Sequence, residues 1–190
     1  MYKLCKTEQS AQRQRELENG LLEAMLVKRY EDISISDLCD TLQVPRKSFY
    51  RYFSSKEGAL YALIDHTLMD FTGEVFKPDI TAAMDTLEHF FLFWRERRLL
   101  LTALERSGLS PILMARCLYY SMQEDIVTSK IMLLHSGLKK DYVVMFMITG
   151  LISLVLQWHH DDYRDTPRQM AVTAAHLMTQ PIISVDWPKK

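Results

Sequence analysis

Apolar residues along the chain recur three and four positions apart, the rhythm of amphipathic helices, and no strand-like run bounded by turn chemistry interrupts them. Leu17, Leu21 and Met25, with Leu22 and Leu26 beside them, form one apolar face, which predicts a helix from about Glu8 to Tyr30. Asn19-Gly20 is a common turn pair, but the apolar period runs through it unbroken. In SISDLCDTL, Ser34 and Asp37 have the spacing of a capping box, and Ile35, Leu38, Cys39 and Leu42 follow on one face of a short helix. Gln43-Val44 makes a tight connection. Pro45 suits the first position of the next helix, where its missing N–H would have no partner anyway. On that helix Phe49 and Phe53 are one turn apart and face inward, and Lys47, Tyr50 and Arg51 lie on roughly the opposite side. Ser54 and Glu57 suggest a second capping box, opening a longer helix with Leu60, Leu63, Ile64, Leu68 and Phe71 inward, and Gly73 is placed to end it.

The remainder is helical as well. Ile80, Met84, Leu87, Phe91 and Trp94 make one stripe, and a short helix over 98–106 ends near Gly108. Ser110-Pro111 opens a long helix toward His135, which Ser136-Gly137 breaks. Asp141 caps an apolar helix over 142–158, and Thr166-Pro167 opens a last helix to about Thr179, with Pro181 and Pro188 in an irregular tail. The expected fold is all-α with about nine helices: a helix-turn-helix unit over 8–54 (motif about 34–53), a connecting helix over 55–72, and a helical domain over 73–190.

Composition narrows the class. A chain of 190 residues, 48% apolar and 25% charged, buries a proper core and is ordinary for a soluble globular protein. Cys5, Cys39 and Cys117 are far apart and odd in number, which argues against a disulfide framework and a zinc site and favours a reducing, cytoplasmic location. No apolar leader marks the first twenty residues. The uncharged run 142–158 is short for a span, where about 20 residues are normal, and Thr149, Gly150, Ser153 and Gln157 interrupt it; a buried helix is the better reading, with no membrane partner.

The net charge of −1 is unremarkable, but its distribution is not: VPRKSFYRYFSSK, 44–56, carries Arg46, Lys47, Arg51 and Lys56 and no acid. Two short helices joined by a tight turn, between longer ones, make a helix-turn-helix arrangement whose second short helix enters the major groove. Arg46, Lys47 and Arg51 suit phosphates or guanine edges, and Ser48, Tyr50 and Tyr52 suit phosphate or a thymine methyl. Lys56, with the amides opening the next helix, suits a further phosphate clamp. A basic surface helix with two core phenylalanines is the plain alternative.

Residues 33–64, ISISDLCDTLQVPRKSFYRYFSSKEGALYALI, resemble the N-terminal domain of TetR/AcrR-family transcriptional regulators. Val44, Ser48, Tyr50, Tyr52, Phe53, Ser55 and Lys56 match the family's run. Gln43 and Lys47 depart from it, standing where glycine is usual or frequent, and Gln43 is thereby asked for a left-handed backbone. The resemblance implies DNA contacts at Ser34, Ser36, Arg46, Lys47, Ser48, Tyr50, Tyr52 and Lys56, a homodimer on a palindromic operator, and a C-terminal domain that binds an effector. The expected function is a ligand-responsive repressor. The alternative is a regulator or activator of the same type whose C-terminal domain binds a protein partner.

Beyond the resemblance, 73–190 offers only general chemistry. Phe90, Phe91, Trp94, Met114, Tyr119 and Met147 are candidates to line an apolar pocket for an apolar or aromatic effector, or are plain core. Met147, Gly150, Leu151, Leu154 and Trp158 are the candidate dimer contacts, because the helix over 142–158 is too apolar to leave one face in water. His159-His160-Asp161-Asp162 falls at a helix end and reads as a solvated terminus, not a metal site. No nucleophile elbow, phosphate loop or zinc-protease motif is present, so neither an enzyme nor a cofactor is expected.

Overall fold

The computed structural model describes residues 1–75, 82–123 and 139–179. Among the described residues the chain forms nine α-helices and one 3-10 turn: α1 (Glu8–Val27), the turn Tyr30–Asp32, α2 (Ile35–Thr41), α3 (Arg46–Tyr52), α4 (Lys56–Val75), α5 (Ala83–Glu96), α6 (Arg98–Arg106), α7 (Ser110–Gln123), α8 (Lys140–His160) and α9 (Pro167–Thr179). The fold is all-helical. The expected start of the α5 stripe at Ile80, the course of the α7 helix toward His135, its break at Ser136-Gly137 and the tail prolines lie outside the described residues.

Local chemistry accounts for most boundaries. Thr7 opens α1 by accepting from the Ser10 amide at 3.3 Å. The helix stops at Val27, three residues short of expectation, and the chain tightens into the 3-10 turn; Arg106 of α6 caps the end, donating to the carbonyls of Leu26 (2.6 Å) and Val27 (3.3 Å). Gly20 does not break α1. A Cβ there would meet the Leu42 side chain at 2.5 Å, so the glycine lets α2 close onto α1. The Ser34–Asp37 capping box forms. The second expected box does not: Ser55 Oγ accepts the Gly58 amide at 3.1 Å, and the Ser54 hydroxyl instead donates to the Met1 carbonyl at 2.8 Å. Gly73 lies within α4, which runs on to Val75. Thr166 and Gln169 cap α9 reciprocally, at 2.7 and 3.2 Å.

Helices α1, α2 and α3 make a small head, and α4 passes from it into the body, packing on α1, α5 and α7. Helix α5 packs mainly on α9, and α8 mainly on α7. One apolar cluster runs through the whole, from Leu17, Phe49 and Phe53 in the head through Leu60 and Ile64 to Phe91, Trp94, Val155 and Ala174. Ion pairs brace the joint: Arg15 of α1 meets Asp70 of α4 through both nitrogens (3.0 and 3.1 Å), and Arg116 of α7 meets the buried Asp65 of α4.

Candidate nucleic-acid interface

Helix α3 is anchored by its apolar side. Phe49 and Phe53 are fully buried, with ring centroids 5.1 Å apart, and Phe49 meets Tyr50 edge-on. Burying these rings turns Arg46, Lys47, Tyr50 and Arg51 outward, and all four are exposed. Gln43, in the turn between α2 and α3, has φ 53°, the left-handed conformation asked of it when glycine is replaced. Together α2, the turn and α3 hold one basic, aromatic strip rigidly on the outside of the head.

The remaining expected contact residues divide. Ser34 is exposed and its hydroxyl accepts from the Asp37 amide at 3.0 Å; hydrogen bonding from the Ser34 side chain, and then from its backbone amide at 3.4 Å, holds the Asp37 carboxyl below its ordinary value. Ser36 and Ser48 are half-buried beside the strip. Tyr52 is only 7% exposed: it ends α3 where the chain turns back into the core, so most of its ring packs inward. Lys56, expected to clamp a phosphate, makes bonds within the fold. Its Nζ donates to the carbonyls of Tyr30 (2.5 Å) and Ile33 (2.6 Å), with Glu31 at 3.4 Å, and lies 4.3 Å from the centre of the Tyr30 ring. The Tyr30 and Ile33 bonds are part-buried and the Glu31 contact is exposed, and burial lowers the Lys56 pKa against the opposing pull of Glu31 and Asp32.

Beside the strip, an open polar groove of about 450 Å³ runs between the first turns of α1 and the end of α3, lined by Gln9, Ser10, Gln12, Arg13, Glu16, Arg51 and Tyr52. These α1 residues escaped the sequence reading because they sit on the polar face of a helix read for its apolar one.

In the body, Phe90, Phe91 and Trp94 are buried, as is Met147, and Met114 is half-buried. Phe91 packs edge-on against Phe90 (5.1 Å) and Trp158 (5.7 Å). Tyr119 is 57% exposed and lies under the Arg116 guanidinium at 4.9 Å, which puts it outside any enclosed pocket. The expected dimer set is also revised. Met147, Leu151 and Trp158 turn into the subunit's own core, leaving Gly150 exposed and Leu154 half-buried on the other face of α8. That open face carries Tyr142, Met145 and Phe146, and α9 adds Val172 and Leu177. By length and composition α8 also meets the requirement for crossing a membrane, and its inner face is packed on α7. Both histidines of the His-His-Asp-Asp run face Glu105, His159 at 3.5 Å and His160 at 3.2 Å; among the described residues no three His, Cys, Asp or Glu side chains gather as a metal site.

A three-helix head with an outward basic second helix is joined by one long helix to a helical body. Solved structures share this arrangement. The fatty acid degradation regulator FadR from Bacillus halodurans aligns over 94% of this chain and 98% of its own with a TM-score of 0.65 at 12% identity. The dihydroxyacetone kinase operon activator DhaS aligns over 87% and 93% with a TM-score of 0.60 at 14% identity. A tetR-family transcriptional regulator from Streptomyces coelicolor aligns over 88% and 79% with a TM-score of 0.58 at 17% identity. No protein-family model and no curated protein sequence matches the chain.

Proposed function

We propose that the protein is a sequence-specific DNA-binding transcriptional regulator, acting in the cytoplasm as a homodimer on a palindromic site, with residues 8–54 as the reading head and 73–190 as the sensing and pairing domain. The observation that carries the reading is the outward strip of Arg46, Lys47, Tyr50 and Arg51 on a helix whose opposite side is locked into the core by Phe49 and Phe53. Arg and Lys in the major groove meet guanine edges or phosphates, and the Tyr50 hydroxyl reaches a phosphate. Homodimerisation is supported by the open apolar face of α8 and α9, since a second copy covers it symmetrically and sets two recognition helices about 34 Å apart.

An apolar or aromatic effector is the natural input. Phe71, near the far end of α4, packs edge-on against Phe90 (5.7 Å) and Phe93 (5.2 Å), so a molecule displacing the α5 aromatics moves the helix that carries the head. The buried Trp94 indole N–H has no acceptor among the described residues and is a donor for a polar atom on such a molecule. Occupying a promoter and leaving it on effector binding makes a repressor. The test is selection of bound fragments from random DNA, followed by binding of the recovered site by Lys47→Ala/Arg51→Ala. A palindromic consensus bound by the parent and lost in the double variant, with unchanged melting, supports the reading. Equal binding by both proteins overturns it.

A further inference from the structure

The first five residues are fastened across the joint between head and body. Their backbone is bonded to the end of the recognition helix: the Lys3 amide donates to the Tyr52 carbonyl at 3.0 Å, and the Ser54 amide donates to the Met1 carbonyl at 3.1 Å. Tyr2 and Phe53 thereby form an antiparallel bridge. Side chains fasten the same segment to α1 and α4. The Tyr2 hydroxyl donates to Asp65 at 2.8 Å, the Tyr2 ring meets His66 edge-on at 5.6 Å, and the Cys5 thiol donates to Gln14 at 2.8 Å. Gly58 makes room, because a Cβ there would lie 2.6 Å from the Met1 carbonyl oxygen, a backbone atom that cannot swing aside as a side chain would.

The far end of this fastening lies in the body. Asp65 is 4% exposed and takes both Tyr2 and Arg116 of α7, whose Nε donates at 2.6 Å and whose second nitrogen closes a bidentate pair. Arg116 is itself set among aromatic rings, 5.5 Å from Tyr61 and 4.9 Å from Tyr119. A buried carboxylate holds such partners strongly, since losing one leaves charge uncompensated in a low dielectric. An unbroken polar path therefore runs from α7 through Asp65 and Tyr2 to the backbone at the end of α3, next to Arg51.

We propose that Tyr2, Asp65 and Arg116 are positioning residues for DNA reading: the N-terminal strap they hold fixes the C-terminal end of the recognition helix, and a movement of α7 releases it. The path acts beside the covalent link from α3 to α4, and it holds the Tyr52 carbonyl at the end of α3. Its consequence for DNA rests on the proposed function, whereas its physical existence does not.

The experiment separates the two. Amide hydrogen exchange is followed at Lys3 and Ser54 in the full chain and in Tyr2→Phe, Gly58→Ala and Arg116→Gln, with affinity for the selected DNA site measured in parallel. Gly58→Ala is the most discriminating, because alanine favours the α4 helix while its methyl displaces the strap. All three variants should exchange at least about tenfold faster at these two amides, and bind DNA about tenfold more weakly, the scale of one lost hydrogen bond to a charged group. Melting should fall only slightly in Gly58→Ala, because the gain in helix propensity offsets part of the lost strap bonds. If Arg116→Gln does not fold, Asp65→Asn with Arg116→Gln removes the ion pair without leaving a bare charge. Unchanged exchange in Tyr2→Phe and Gly58→Ala overturns the strap. Faster exchange in those two but not in the Arg116 variants overturns the link to α7. Faster exchange in all variants with DNA affinity unchanged overturns the positioning role. If the parent itself binds no DNA, the proposed function fails and positioning for DNA fails with it, while faster exchange still shows the strap to be real.

Discussion

Replacing Lys56 by Met separates a lysine that caps the fold from one that holds DNA. The substitution keeps the aliphatic stem and deletes the ammonium, which donates to the Tyr30 and Ile33 carbonyls at 2.5 and 2.6 Å. A hydrogen bond from a charged group contributes about 1.5–3 kcal/mol, so two of them amount to about 3–6 kcal/mol gross. The site is half-buried, and water reaching it makes up part of the loss. The Tyr30 carbonyl also keeps the Ile33 amide as a partner at 3.2 Å. Roughly halving the gross figure leaves about 2–3 kcal/mol, with the contact over the Tyr30 ring included. For a chain of this size that lowers the melting temperature by about 4–12 °C. Thermal melting of parent and variant measures this. The second measurement is the salt dependence of binding to the selected site. A capping lysine leaves the log–log slope unchanged, whereas a phosphate contact repeated in both halves of a dimer removes about 1.8 units. A variant that melts with the parent and loses that much slope would refute the capping role and restore Lys56 to the interface.

Two further outcomes follow from the body of the protein. Phe146→Glu places a charge on the open face of α8, where the ring is 72% exposed, and should yield monomers by sedimentation that bind a half-site but not the palindrome; dimers of parental stability would remove α8 from the interface. The second outcome concerns pH. Burial holds the His159 imidazole below its ordinary 6.5, against the opposing pulls of Glu105 and Asp162 and with a small push from His160, while Tyr163 and Thr102 hydrogen-bond its ring. The folded state therefore favours the neutral ring and the unfolded chain takes the proton first. The contribution is present above the unfolded value and is lost as pH falls through the folded one. The urea midpoint of the parent should drop between about pH 7 and about pH 5 more steeply than that of His159→Gln, and parallel pH profiles would refute this.

What could be read in advance tracks how far apart in sequence the deciding contacts lie. The Ser34–Asp37 and Thr166 caps, the inward phenylalanines of α3 and the left-handed Gln43 are settled within a few residues, so spacing and residue type suffice. The bonds of Lys56 within the fold could not be read in advance because an ammonium serves a phosphate or a carbonyl equally, and the carbonyls opposite it belong to residues 23 to 26 positions earlier. Helix α8 misled for another reason. It is apolar on most sides, so its pattern carries no phase, and Met147, Leu151 and Trp158 could not be told from Tyr142 and Phe146 until α7 showed which side was taken. The strap is the extreme case. Residues 1–5 have no periodicity, and their bonds to Asp65 and Ser54 span 63 and 53 positions, with Arg116 a further 51 beyond Asp65. Reading DNA requires only a rigid local motif, which is why the α3 strip is legible. Coupling that motif to the body requires contacts between elements remote in the chain, and such contacts leave no local pattern. The residues proposed to position the head are for that reason found in the folded structure and not in the motif.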